Sequence, residues 1–146
     1  MSHDSVVDKH VLVVEDEPDF AALLRSILLK AGYTVATAYN CEDALSQVRK
    51  RKPDLITLDI QMPRKSGLLF YRELKANTAF REMPVVVVTA LTRNDIDMES
   101  IIRSFLETDH LPHPEAYVEK PVDGPRFLRT VHDALCRPRS AMPASP

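Results

Sequence analysis

Four short apolar runs in this chain each stop on a polar side chain, and any fold it adopts has to accommodate that pattern. Val11–Val14 runs into Glu15 and Asp16, and Leu55–Leu58 into Asp59. Pro84–Val88 runs into Thr89, and Ala116–Val118 into Glu119 and Lys120. Short valine-rich runs bounded by turn residues read as strands buried on both faces. Their polar ends are of different kinds: acids, a hydroxyl and an ammonium. If the strands lie side by side and parallel, those groups meet along one edge.

The segments between the runs have helical spacing. Phe20, Leu23, Leu24, Ile27 and Leu28 mark a first helix, opened by Pro18 and closed by Gly32. Tyr33–Ala38, rich in β-branched residues, reads as a further strand. Ala44, Leu45 and Val48 mark a second helix, ended by Arg49–Lys52 and Pro53. Basic residues there complement the negative end of the helix dipole, so that cluster needs no ligand. A third helix is expected over Leu68–Asn77 and a fourth over Thr92–Glu107, the latter carrying Met98, Ile101, Ile102, Phe105 and Leu106 inward. Asp123 is placed to cap a fifth, with Phe127, Leu128, Val131 and Leu135 on its inner face. Five strands alternating with five helices predict an α/β fold, a parallel sheet covered on both sides. Ligands of such sheets bind beyond the carboxyl ends of the strands, where Glu15, Asp16, Asp59, Thr89 and Lys120 fall.

The bulk properties exclude several classes. The 146 residues suit one domain, 45% of them hydrophobic and 27% charged, with a net charge of −2. That balance gives no reason to expect nucleic acid or an anionic membrane as partner. No apolar run approaches a membrane span and no signal peptide opens the chain, so a cytoplasmic location is expected. Cys41 and Cys136 lack ligand spacing and are expected to be free thiols. His110-x-x-His113 lies in a proline-rich stretch and reads as a solvated loop rather than a metal pair. The globular domain is expected over 9–137, with 1–8 and 138–146 as flexible tails.

Three converging carboxylates repel one another, and a hard divalent cation such as Mg²⁺ relieves that conflict. Asp59 could then attack a phosphoryl group, with Thr89 and Lys120 meeting the charge on its oxygens. Singly, each residue has a plainer explanation: Asp59 as a turn residue, Glu15–Glu17 as acids at a helix N-terminus, Thr89 as a cap, Lys120 as a solvated charge. Their common position at four strand ends argues against coincidence.

The ordered set Val13-Val14-Glu15-Asp16-Glu17-Pro18, Leu58-Asp59-Ile60-Gln61-Met62-Pro63 with Gly67, Thr89-Ala90 and Lys120-Pro121 resembles the receiver domains of two-component response regulators. The resemblance runs from about Val11 to about Cys136 and implies a doubly wound, flavodoxin-like sheet in the order 2-1-3-4-5. It also implies that Asp59 takes a phosphoryl group from a histidine kinase, a phosphotransfer protein or a small donor. By the same resemblance, Asp16, Asp59 and the Gln61 carbonyl would ligate Mg²⁺, with Glu15 acting through a water. Thr89 and Lys120 would contact the phosphoryl group, Lys120-Pro121 would be cis, and Tyr117 would be the switch aromatic beside the fourth helix. Such a domain is a signalling phosphoacceptor rather than an enzyme.

One stretch departs from the family. From Thr89 to Lys120 is 31 positions, more than most receivers use, and 107–115 replaces the usual Gly-Ala-Asp-Asp-Tyr-like run. An extended fourth helix or an unusual loop is expected there. Three rival readings remain: an aspartate-nucleophile phosphatase, a non-phosphorylated pseudo-receiver and a nucleotide-binding fold. The first needs a second acid where Gln61 stands, the second would lack a site group, and the third needs a glycine-rich loop. None of these conditions is met.

Overall fold

A computed structural model describes residues 9–60, 67–89, 92–93, 96–108 and 110–137, with side chains described for all of these except 92–93 and 96–99. The tails at 1–8 and 138–146, together with Gln61 and Ala90, lie outside the described residues. Five strands form one parallel sheet: β1 (His10–Val14), β2 (Thr34–Ala38), β3 (Leu55–Leu58), β4 (Val85–Thr89) and β5 (Ala116–Glu119). Their spatial order is β2-β1-β3-β4-β5, as the family resemblance implied. The helices are α1 (Pro18–Lys30), α2 (Cys41–Lys50), α3 (Gly67–Ala76), α4 (Met98–Thr108) and α5 (Gly124–Cys136). None of them is long and apolar enough to cross a membrane.

Alternation along the strands divides the core in two. Leu12, Val14, Ile56, Leu58, Val85 and Val87 face α2, α3 and α4, packing with Val48, Phe70, Leu74, Ile102 and Leu106. Their neighbours Val11, Val13, Leu55, Val86 and Val88 face α1 and α5, packing with Leu24, Leu28, Phe127 and Val131. With both faces covered, β1, β3 and β4 can be almost wholly apolar. Helices on opposite sides follow from right-handed crossovers that leave β1 in one direction and return in the other. The order reverses between β1 and β3, which is where the acids emerge.

Several local expectations need correction. The fourth helix begins at Met98 rather than Thr92; ahead of it Thr92–Arg93 pairs antiparallel with Ile96–Asp97. Asn94 and Asp95 favour turns over helix interiors, and helical apolar spacing starts only at Met98. Leu23 and Ile101 point outward, each 47% exposed. Adjacent helical residues lie about 100° apart, so Leu24 and Ile102 take the inner positions. Asp123 stands at the N-cap of α5, but its side chain makes no capping bond; its carbonyl accepts from the Phe127 N–H at 2.8 Å. Beyond α4 the described residues 110–115 have no helix or strand, which matches the loop that the sequence offered as one alternative there. His110 adopts a positive φ of 56°, and the Pro112 carbonyl accepts a 2.6 Å bond from the buried Tyr71 hydroxyl of α3.

Gly67 starts α3 against the backbone of the strand β3 has just left. A Cβ there would lie 2.8 Å from the Ile60 Cα and closer still to the Asp59 carbonyl oxygen, while the Gly67 N–H donates to the Ile60 carbonyl at 3.1 Å. Gly124 is roomy by comparison, its nearest contact being the Ile27 Cδ1 at 3.8 Å. Overpacking of this kind typically costs about 1–3 kcal/mol. Gly67→Ala is therefore expected to lower stability by about that amount in urea denaturation, and Gly124→Ala to change it by less than about 0.5 kcal/mol. Equal effects at the two positions would show that contact with the Asp59 backbone is not what demands the glycine.

Candidate functional site

Register brings the polar ends together. Val14 of β1 lies beside Leu58 of β3, so Glu15 and Asp59 leave the sheet as neighbours, and the Asp59 N–H donates to the Val14 carbonyl at 3.1 Å. Thr89 pairs with Glu119, and the Lys120 N–H donates to the Thr89 carbonyl at 3.1 Å. The Lys120 side chain then turns back across the strand ends. Its Nζ lies 3.1 Å from Glu15 Oε1 and 3.3 Å from Asp59 Oδ2. One oxygen each from Glu15, Asp16 and Asp59 falls within 4.8 Å of the others.

These acids are not helix caps. Glu17 occupies the N-cap of α1 without a side-chain capping bond, and Glu15 Oε2 accepts from the Glu17 N–H at 3.2 Å. Glu15 is 1% exposed, Asp59 5% and Thr89 0%. Thr89 is the last residue of a central strand and caps no helix. Lys120 is held in an ion pair rather than solvated. Tyr117 lies opposite Val87 and packs, half-buried, on the cluster shared by α3 and α4. Lys120-Pro121 is cis. Cys41 and Cys136 are both free thiols, the first buried and the second exposed.

Among the described residues, the one ammonium of Lys120 faces three acids. Burial, and then repulsion from Asp59, push the Glu15 carboxyl up to about 7, against the pull of Lys120. Burial alone would lower the Lys120 pKa, but Asp59 and Glu15 together outweigh it and raise it. The site therefore holds excess negative charge, which either a proton on Glu15 or a bound cation can relieve. Clustered carboxylate oxygens of this kind suit a hard divalent ion.

Phe20, read from the sequence only as a core residue, has a second role. Its ring lies under the Lys120 ammonium, with Nζ 4.5 Å from the centroid. Helical spacing correctly marks it as apolar, and no local signal indicates that one ring face meets a lysine from a distant strand.

The Glu15 shift fixes the sign of a pH effect. Its carboxyl ordinarily titrates near 4.5 and here titrates near 7. Between those values the folded state holds more proton than the unfolded chain, so this residue's contribution to stability falls as pH rises through the window. Glu15→Gln, in the presence of a chelator, is expected to remove that fall and to leave the protein more stable than wild type above pH 7 in urea denaturation. A wild-type profile flat over the same window would refute the assignment.

Comparison with known proteins identifies the family and the fold. Residues 11–132 match the model of the response regulator receiver domain. The chain is 35% identical over 127 residues to the polar-differentiation response regulator DivK of Brucella anthropi, covering 87% of this chain and 96% of that one. The receiver domain of NtrX from Brucella abortus superposes with a TM-score of 0.72 at 28% identity, covering 86% of this chain and 97% of the other. A sensor protein from Polaromonas sp. JS666 gives 0.73 at 29% identity, covering 87% and 95%. With its strand order, its acid cluster and its apposed lysine, the chain belongs to the response regulator receiver domain family.

Proposed function

We propose that Asp59 is a phosphoacceptor, charged by the phosphohistidine of a histidine kinase or phosphotransfer protein, or by a small acyl phosphate. The observation that carries this reading is a buried Asp59 carboxylate, 3.3 Å from an ammonium and flanked by two further acids at the adjacent strand end. An Asp59 oxygen attacks phosphorus, the bond to the donor's nitrogen or oxygen breaks, and the leaving group keeps that electron pair. Lys120 stays close enough to meet charge on the transferred group, and Thr89 closes the neighbouring strand end.

The cluster of Glu15, Asp16 and Asp59 suits Mg²⁺; Asp16 and Asp59 would hold it, joined by the Gln61 carbonyl if the family resemblance extends that far, with Glu15 acting through a water. When bound, it offsets the repulsion among the acids and polarises the phosphoryl oxygens. Gln61 stands where a phosphatase of this chemistry would need a second acid, so the acceptor is expected to be charged once per molecule rather than to turn over external esters. A phosphoryl group on Asp59 adds negative charge beside Lys120 and Thr89. Tyr117 and the α4–β5 face are the proposed route by which a protein partner senses it. Histidine kinases donate in the cytosol, which is the setting this reading assigns to the chain.

Incubation with acetyl phosphate and Mg²⁺ is expected to add the mass of one phosphoryl group to the intact protein. Asp59→Asn and chelation are each expected to abolish the addition. An unchanged mass under saturating donor would identify a pseudo-receiver. Release of phosphate from a generic ester far beyond one equivalent would identify a phosphatase.

A further inference from the structure

Among the described residues the Lys120 ammonium has neighbours of two kinds: the carboxylates of Glu15 and Asp59, at 3.1 and 3.3 Å, and the face of Phe20, 4.5 Å from its centroid. Phe20 lies in the first turn of α1, half-buried and anchored on the cluster formed by α1 and α5. A lysine stem is long and flexible, and this side chain keeps 24% of its surface exposed, so a solvent-facing rotamer is open to it. The negative face of an aromatic ring attracts a cation without taking any of its N–H donors. The carboxylates hold Lys120 only while their charge is free. A cation among them weakens that hold but leaves the ring unaffected.

We propose that Phe20 is a positioning residue for phosphoryl transfer, its ring face keeping the Lys120 ammonium over the Asp59 carboxylate. An aliphatic residue at this position would fill the same space but would not attract the ammonium. The inference rests on the phosphoacceptor reading of Asp59 and adds to it a residue that touches no reacting atom.

The test compares wild type, Phe20→Leu, Phe20→Tyr, Lys120→Met and the Phe20→Leu/Lys120→Met double variant, following phosphorylation by acetyl phosphate at saturating Mg²⁺ through intact mass. Phe20→Leu is expected to slow the reaction by about three- to tenfold, from the usual strength of such a contact. Phe20→Tyr, which keeps the ring, should stay within about twofold of wild type. In the Lys120→Met background, Phe20→Leu should add nothing, because the group it positions is gone. A metal-free readout accompanies these rates. The Lys120 ε-methylene protons should show an upfield ring-current shift in wild type and Phe20→Tyr and lose it in Phe20→Leu.

Equal slowing by Phe20→Leu in both backgrounds would reduce the ring to packing and overturn the proposal. So would a wild-type rate in Phe20→Leu, a Phe20→Tyr as slow as Phe20→Leu, or an unshifted lysine. If Lys120→Met reacts as fast as wild type, the lysine has no part in transfer and the proposal falls while Asp59 keeps its role. If wild type itself gains no mass, the phosphoacceptor reading has failed and takes the proposal with it.

Discussion

Negative charge without enough positive charge to balance it, buried at the carboxyl ends of parallel strands, is the constraint on which the rest of this molecule turns. Among the described residues, Lys120 pairs with Glu15 and Asp59 while Asp16 adds a third acid beside them, and burial and repulsion show in the raised Glu15 carboxyl. A fold selected only for stability would replace such a cluster with apolar groups, since buried uncompensated charge destabilises. Retaining it makes sense where the charge is to be answered from outside, by a cation and a phosphoryl group. The site is therefore poised by its own unfavourable electrostatics, with the Lys120 ammonium over the Phe20 ring as the positive element.

The apolar architecture makes this poise possible. Tightly packed layers on both sheet faces hold β1, β3 and β4 rigid, so the side chains just beyond their ends have little freedom to move apart. Gly67 adds a backbone-to-backbone contact under Asp59, and α3 extends from there to Tyr71, whose hydroxyl holds the loop ahead of β5. One short helix thus touches both the backbone at Asp59 and the loop ahead of β5.

How much of this the sequence discloses depends on the range of the interaction. Buried parallel strands were legible because continuous apolar runs such as Val85–Val88 have few other uses. The site was legible because its residues end those runs. Helix faces were only half legible: Leu23 and Leu24 both look apolar, yet geometry admits one of them to the core. The start of α4 was misplaced because residues 92–97 carry no apolar spacing of their own. Asp123 had the right residue type and position for a cap, but its backbone rather than its side chain serves the helix. The ring of Phe20 under Lys120 could not be read at all. It joins residues a hundred positions apart (120 − 20) through a contact that leaves no periodic trace.

The strict alternation of the two cores has a consequence for how this chain avoids misfolding. A slip of β1 by one residue against β3 would exchange every side chain between the faces. It would also bring Asp16 to the position of Glu15 and carry the acid pair out of step with Asp59. A misregistered sheet could still bury many valines, because both faces are apolar, but it could not gather the three carboxylates. A cation that bound all three would favour the correct pairing and by mass action would draw the population toward it. The same acids that burden the folded state would then let a bound ion proofread the register of the sheet.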